Sequence, residues 1–141
     1  MLGASVETNI LNSMDERLIQ EAKQARMKAY SPYSHFKVGA AVLTKSGNIF
    51  HGCNIENSSY GATICAEQVA LFNAYAHEER EVELIAVVAD TRTLCPPCGI
   101  CRQVILELAG NIDIILANLN GDKRIFKARE LLPIAFTEDF L

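Results

Sequence analysis

The sequence predicts an α/β fold built on a mixed five-stranded sheet with helices on both faces. A helix and a β-hairpin come first, and helices and strands then alternate along the chain, which is the order of a layered α/β domain. Residues 83–89 hold the continuous apolar run Leu-Ile-Ala-Val-Val, which is typical of a strand buried within such layers.

The first helix is predicted to begin at Ser13, because Ser13 and Glu16 fit a capping box before apolar residues at helical spacing. It is predicted to end before Ser31-Pro32, since the residue preceding a proline is disfavoured in helical geometry. Strands follow at residues 36–44 and 49–55, joined by a Lys-Ser-Gly-Asn turn.

The second half alternates helices and strands, with turn residues between them. Gly110 is suited to ending a helix, and Asn120-Gly121 is suited to a tight hairpin. We expect a helix that carries Cys65 and Glu67 and ends near residues 75–79, further helices at 98–108 and 129–132, and strands at 83–89, 112–119 and 124–127. Helices that start from strand ends lie where α/β folds place their functional sites.

Length and composition indicate one ordinary globular domain of 141 residues, with 50 % hydrophobic and 21 % charged residues. We expect it to span residues 13–141, with 1–12 as a mobile extension, because 1–12 show no firm pattern. The net charge of −4 and the absence of a Lys/Arg run argue against a nucleic-acid partner. No apolar run approaches the ~20 residues needed to cross a bilayer, so no membrane partner is expected.

The chain has five cysteines, and they are clustered rather than spread like a disulfide framework. The N-terminus also lacks the basic start and apolar core of a signal peptide. We therefore expect a cytoplasmic protein with reduced thiols.

Three of these thiols lie in the runs Cys-Ala-Glu at residues 65–67 and Pro-Cys-Gly-Ile-Cys at residues 97–101. If a helix opens at Pro97, Cys98 and Cys101 share one face of its first turn. Cys65 also precedes a helical pattern, and helix N-termini favour thiolates. Three thiolate ligands leave the fourth position of a tetrahedral zinc ion open, as in catalytic sites. Glu67 could then face a zinc-bound water and move its proton.

Two other interpretations of the cysteines stay open. A Cys-x-x-Cys pair alone could be a redox pair or two unremarkable thiols. Cys95 forms a second such pair with Cys98, and as a fourth ligand it would close a structural zinc site.

A cysteine, one residue and a glutamate, followed by Pro-Cys-x-x-Cys, is the pattern of zinc nucleobase deaminases. With Arg102 and Gln103 after Cys101, residues 30–136 resemble the small cytidine deaminases that act on free nucleosides. The resemblance implies a three-layer αβα architecture and one zinc ion per subunit, with Cys65, Cys98 and Cys101 as ligands. It also implies hydrolytic deamination of cytidine and deoxycytidine in pyrimidine salvage, with Glu67 as the catalytic residue.

The resemblance assigns substrate contacts beyond the metal. In the family, an Asn-x-Glu pair at the position of Asn54 and Glu56 hydrogen-bonds a sugar hydroxyl. Phe36 corresponds to the aromatic wall beside the pyrimidine, and the main chain of Ala66 reads the base. From the pattern alone, Asn54 and Glu56 are surface residues and Phe36 is a core residue.

Two aromatic residues match family positions that reach into a neighbouring subunit's site, namely Tyr60 and Phe136. The resemblance therefore implies a homotetramer with shared active sites. From the sequence alone, Phe136 could equally pack on its own subunit.

One residue departs from the family pattern. Gln68 stands where the family usually has an arginine that donates to the zinc thiolates. Three thiolates on one Zn²⁺ leave a net charge of −1, which would weaken the ion as a Lewis acid. Arg102, adjacent to Cys101, is the candidate for compensating that charge.

Two alternative functions remain at this point. The first is deamination of another cytosine-containing nucleoside, such as a nucleoside antibiotic, on the same fold. The second is a non-catalytic protein in which zinc is only structural and Glu67 has no chemical role.

Overall fold

The structure, a computed structural model, describes residues 2–141, with side chains from Ser13 onward. The helices are α1 (Leu2–Arg26), α2 (Ala66–Ala76), α3 (Gly99–Ala109) and α4 (Ala128–Leu131), and the strands are β1 (Val38–Thr44), β2 (Ile49–Cys53), β3 (Val82–Ala89), β4 (Asp113–Ala117) and β5 (Lys123–Lys127). Single 3₁₀ turns lie at Tyr60–Ala62 and Glu138–Phe140. Among the helices of residues 2–141, none combines the length and hydrophobicity that a bilayer crossing requires.

The five strands form one mixed sheet in the order β2-β1-β3-β4-β5. β3 and β4 run parallel, whereas the other neighbouring pairs are antiparallel. The predicted mixed five-stranded sheet is confirmed. The turn expected at Asn120-Gly121 is also present, with Gly121 at a φ of 94°.

Side chains alternate between the faces of the central strands, so each face of the sheet has its own apolar core. One face packs on α1 and the other on α2 and α3, which gives three layers. The α1 face comprises Ala41, Leu43, Ala86, Val88, Ile115 and Ala117. The opposite face comprises Ala40, Val42, Ile85, Val87, Ile114 and Leu116.

The predicted start of the first helix is wrong, because α1 begins at Leu2 and Ser13 lies inside it. A serine followed three residues later by a glutamate also occurs within helices. No proline precedes Ser13 to interrupt the helical hydrogen bonds. The side chains of residues 1–12 lie outside the described part, so the mobile extension stays a prediction.

α2 rests directly on the backbone of β2 at Gly52. A Cβ atom at Gly52 would lie 2.3 Å from the carbonyl oxygen of Ala66 and 2.3 Å from the amide nitrogen of Ala70. Only glycine allows this approach. Gly52 therefore fixes where the first turn of α2 lies.

We expect Gly52→Ala to lower the free energy of unfolding by about 1–3 kcal/mol or more, because the added methyl overpacks a backbone contact. Gly61→Ala is the matched control, since a Cβ there has nothing within 4 Å and Gly61 needs no left-handed backbone. Denaturant unfolding of both variants measures the difference. Equal stability of the two variants would contradict this role for Gly52.

Candidate metal centre and active site

Three cysteines meet where α2 and α3 begin. Cys65 immediately precedes α2, Cys98 immediately precedes α3, and Cys101 lies in the first turn of α3. The Sγ atom of Cys98 lies 3.8 Å from that of Cys65 and 3.6 Å from that of Cys101. The helix opens at Gly99 rather than at Pro97, so Cys98 is its N-cap residue.

The electrostatics of this cluster differ from thiol to thiol. The pKa of Cys65 is lowered to about 7, chiefly by the hydrogen bond from Cys101 and further by one from Cys98. The pKa of Cys101 is raised, because Cys101 gives its hydrogen bond to Cys65 and is buried. Cys65 therefore ionises before Cys101, and a metal ion that binds all three sulfurs must displace protons.

The spacing of the sulfurs fits a zinc ion. Tetrahedral zinc with Zn–S bonds of about 2.3 Å places its sulfur ligands about 3.8 Å apart. All three Sγ atoms lie within 4.8 Å of one another. Three such ligands leave one tetrahedral position for a water molecule or substrate.

Cys95 does not belong to this cluster. Its Sγ atom lies 3.7 Å from the carbonyl oxygen of Pro96, and its pKa is raised by burial and by the charge of Glu67. The histidines have other contacts: His51 pairs with Glu21, and Nδ1 of His77 lies 2.8 Å from the Asn73 carbonyl oxygen.

Glu67 lies in the first turn of α2 and is only 4 % exposed. Burial raises the pKa of its carboxyl group. Glu67, Cys65 and Cys98 border one mainly apolar cavity of about 200 Å³. A buried carboxyl group beside a metal position can accept and return protons near neutral pH.

The same cavity contains three of the residues that the resemblance assigned to substrate binding, namely Phe36, Asn54 and Ala66. Thr63, Ile64 and Pro96 also border it. No sequence motif marks these three residues, because their side chains only shape a wall of the cavity.

Asn54 and Glu56 hold the backbone of the segment that carries Phe36. Asn54 accepts a hydrogen bond from the Val38 amide (2.9 Å) and donates one to the Phe36 carbonyl (2.7 Å). The Glu56 carboxylate accepts hydrogen bonds from the Tyr33 and Ser34 amides and from the Ser34 hydroxyl.

Glu56 does not line the cavity of the single chain. The Ser34 hydroxyl is the main reason that the pKa of Glu56 is lowered. The carboxylate therefore stays ionised at neutral pH.

Tyr60 and Phe136 do not line the cavity of the single chain either. They are 79 % and 60 % exposed. The Tyr60 ring meets the Tyr33 ring edge-on, and the Phe136 ring stacks on Phe140. Both predicted residues are thus exposed aromatic groups in one subunit.

Gln68 and Arg102 both form hydrogen bonds with the main chain. The Gln68 side-chain oxygen accepts a hydrogen bond from the Cys65 amide (3.1 Å). Arg102 donates to the carbonyl groups of Pro97 and Leu131, each at 2.8 Å. Both residues therefore brace the backbone around the cysteines.

The model of the cytidine and deoxycytidylate deaminase zinc-binding region matches residues 12–116. The chain belongs to that family. It is 54 % identical over 125 residues to the cytidine deaminase of Halalkalibacterium halodurans. The aligned residues cover 88 % of this chain and 95 % of that relative.

The fold of this chain is also similar to solved structures of cytidine deaminases. The crystal structure of the Burkholderia pseudomallei cytidine deaminase superposes with a TM-score of 0.84 at 52 % identity, over 86 % of this chain and 98 % of that one. The Mycobacterium tuberculosis cytidine deaminase superposes at 0.75 with 38 % identity, over 86 % and 96 %. This deaminase family binds zinc, and the three-cysteine cluster can hold a metal ion.

We expect one zinc ion per chain, and we expect Cys65→Ser, Cys98→Ser and Cys101→Ser each to lose it, because each removes one of three clustered sulfurs. Cys95→Ser is the control and should retain the ion. Metal content is measured by atomic emission after dialysis. Zinc loss from the Cys95→Ser variant alone would instead indicate a closed structural site.

Proposed function

We propose that this chain catalyses the zinc-dependent hydrolysis of cytidine and deoxycytidine to uridine and deoxyuridine, with release of ammonia. The observation that carries the proposal is a buried carboxyl group, Glu67, beside three clustered thiols in one apolar cavity. The similarity to curated cytidine deaminases over most of the chain supports the same substrate class.

Glu67 acts as the proton carrier of the reaction. It takes one proton from the attacking water and delivers it to N3 of the base, and it then takes the second proton from the new C4 hydroxyl and delivers it to the leaving amine. Its raised pKa suits both steps, because a carboxyl group that titrates nearer neutral pH can accept a proton and return it. Zinc, when bound, supplies Lewis acidity and lowers the pKa of a water to about 7.

The walls of the cavity suit a flat pyrimidine. Phe36 provides an aromatic surface, and Ala66 is small enough for its main chain to meet the polar edge of the base. The two hydrogen bonds of Asn54 to the backbone around Phe36 hold that aromatic side chain at the cavity.

Sugar recognition falls to Asn54 and Glu56 in this proposal. Asn54 borders the cavity and donates one of its two N–H groups to the Phe36 carbonyl, so the other N–H has no partner among the described residues. Glu56 offers an ionised carboxylate on the same strand end, already oriented by Ser34 and Tyr33.

The proposed setting is pyrimidine salvage in the cytoplasm. All five cysteines carry free thiols, which suits a reducing compartment. The substrate is a free nucleoside, and neither a nucleic acid nor a membrane is a partner.

We expect Glu67→Gln to retain zinc and fold while slowing turnover by at least roughly 10²-fold, the low end for a positioned proton carrier. The amide keeps the shape of the side chain but cannot accept and return the proton. Loss of cytidine absorbance measures the rate. A rate near that of the unchanged protein would remove Glu67 from the mechanism.

Cytidine and deoxycytidine should both react, whereas free cytosine should show a kcat/KM lower by roughly 10²-fold or more. A site built to bond a hydroxyl strongly rejects an analogue that lacks it. Cytidine monophosphate should also be a poor substrate, since none of the described residues that line the cavity is basic and could pair with its phosphate. Side-by-side rates on one preparation test this, and preference for cytosine or the monophosphate would exclude these sugar-reading roles.

We also propose a homotetramer in which Tyr60 and Phe136 complete neighbouring sites. Their exposure in the single chain supports this, because large exposed aromatic side chains often mark interfaces. We expect sedimentation of the zinc-loaded protein to report four subunits. Phe136→Ala should then lower activity while the fold survives, and a fully active monomer would overturn the proposal.

A further inference from the structure

Arg102 makes two hydrogen bonds that connect residues 97–101, the cysteine turn that carries Cys98 and Cys101, to a distant part of the chain. Its Nε donates to the carbonyl of Pro97, the buried residue immediately before Cys98. A terminal guanidinium nitrogen donates to the carbonyl of Leu131, the last residue of α4. One rigid group thus holds both the entry to the cysteine turn and the end of α4.

The neighbouring side chain extends this connection. Gln103 donates from Nε2 to the carbonyl of Phe136 at 2.9 Å. Consecutive residues at the start of α3 therefore bind the C-terminal segment at two points, Leu131 and Phe136. Between these points the segment has little regular structure, and Ile134 is fully exposed.

We propose that Arg102 is a positioning residue for the zinc site, and that Arg102 and Gln103 couple zinc binding to the placement of residues 131–136. Arg102 acts through the Pro97 carbonyl, which fixes the backbone that presents the Cys98 sulfur. Its part is therefore geometric, in contrast to the charge compensation expected from the sequence.

The geometry separates these two roles. Guanidinium is a planar fork that can serve two carbonyl groups from one fixed position, whereas an ammonium group is a point charge on a flexible stem. A lysine at this position would keep the charge but lose the bridge. Coupling is reciprocal, so zinc should order the segment as much as the segment stabilises the zinc site.

The first experiment measures zinc release to a chromogenic chelator. This inference rests on the proposed zinc site but not on the substrate, so the readout involves no turnover. Arg102→Lys should release zinc faster by roughly 10-fold or more, the usual effect of losing a group that orients a metal ligand. Arg129→Lys, on α4, is the control and should match the unchanged protein. Release from Arg102→Lys at the unchanged rate would overturn the positioning role.

The second experiment follows amide hydrogen exchange in residues 131–137 with and without zinc. Removing zinc should speed exchange there, and Gln103→Met should speed it even in the zinc-loaded protein. Methionine keeps the length of the side chain but has no donor for the Phe136 carbonyl. If the exchange rate in this segment changes neither on zinc removal nor in Gln103→Met, the coupling is overturned. This test holds even if Arg102→Lys proves too unstable to study.

Discussion

The site depends on the contact between α2 and the backbone of β2 at Gly52. Because Gly52 has no side chain, Ala66 and Ala70 can approach the strand more closely than a Cβ atom there would allow. That approach sets the position of the turn at the start of α2. Cys65 and Glu67 belong to that turn, so their distance from the start of α3 follows from it.

A second feature is the use of polar side chains to hold main chain rather than one another. Asn54 and Glu56 fix the segment around Phe36, Gln68 closes the turn at Cys65, and Arg102 holds Pro97. Such bonds satisfy backbone groups that loops near a site would otherwise leave unpaired. They also stiffen the walls of the cavity, which favours a preorganised site.

The sequence by itself determined the fold class and the family. The apolar run at residues 83–89 and the alternation of elements predicted the mixed sheet, and the structure confirms it. The Cys-x-Glu and Pro-Cys-x-x-Cys spacing predicted three converging thiols, because that spacing fixes local geometry at two helix starts. The start of α1 was predicted wrongly, since a capping pattern is a local signal that a continuing helix overrides.

Only the tertiary structure decided which partners the polar groups have. Arg102 follows Cys101 in sequence, yet its guanidinium group donates to the carbonyl oxygens of Pro97 and Leu131. Nothing in the local sequence indicates Leu131 as a partner, because it lies 29 residues further along the chain. The sequence also did not decide whether Cys95 belongs to the three-cysteine cluster, because Cys-Pro-Pro-Cys allows a ligand pair by spacing alone. The structure leaves Cys95 outside that cluster. Side-chain contacts between distant segments arise from packing, and local patterns do not encode them.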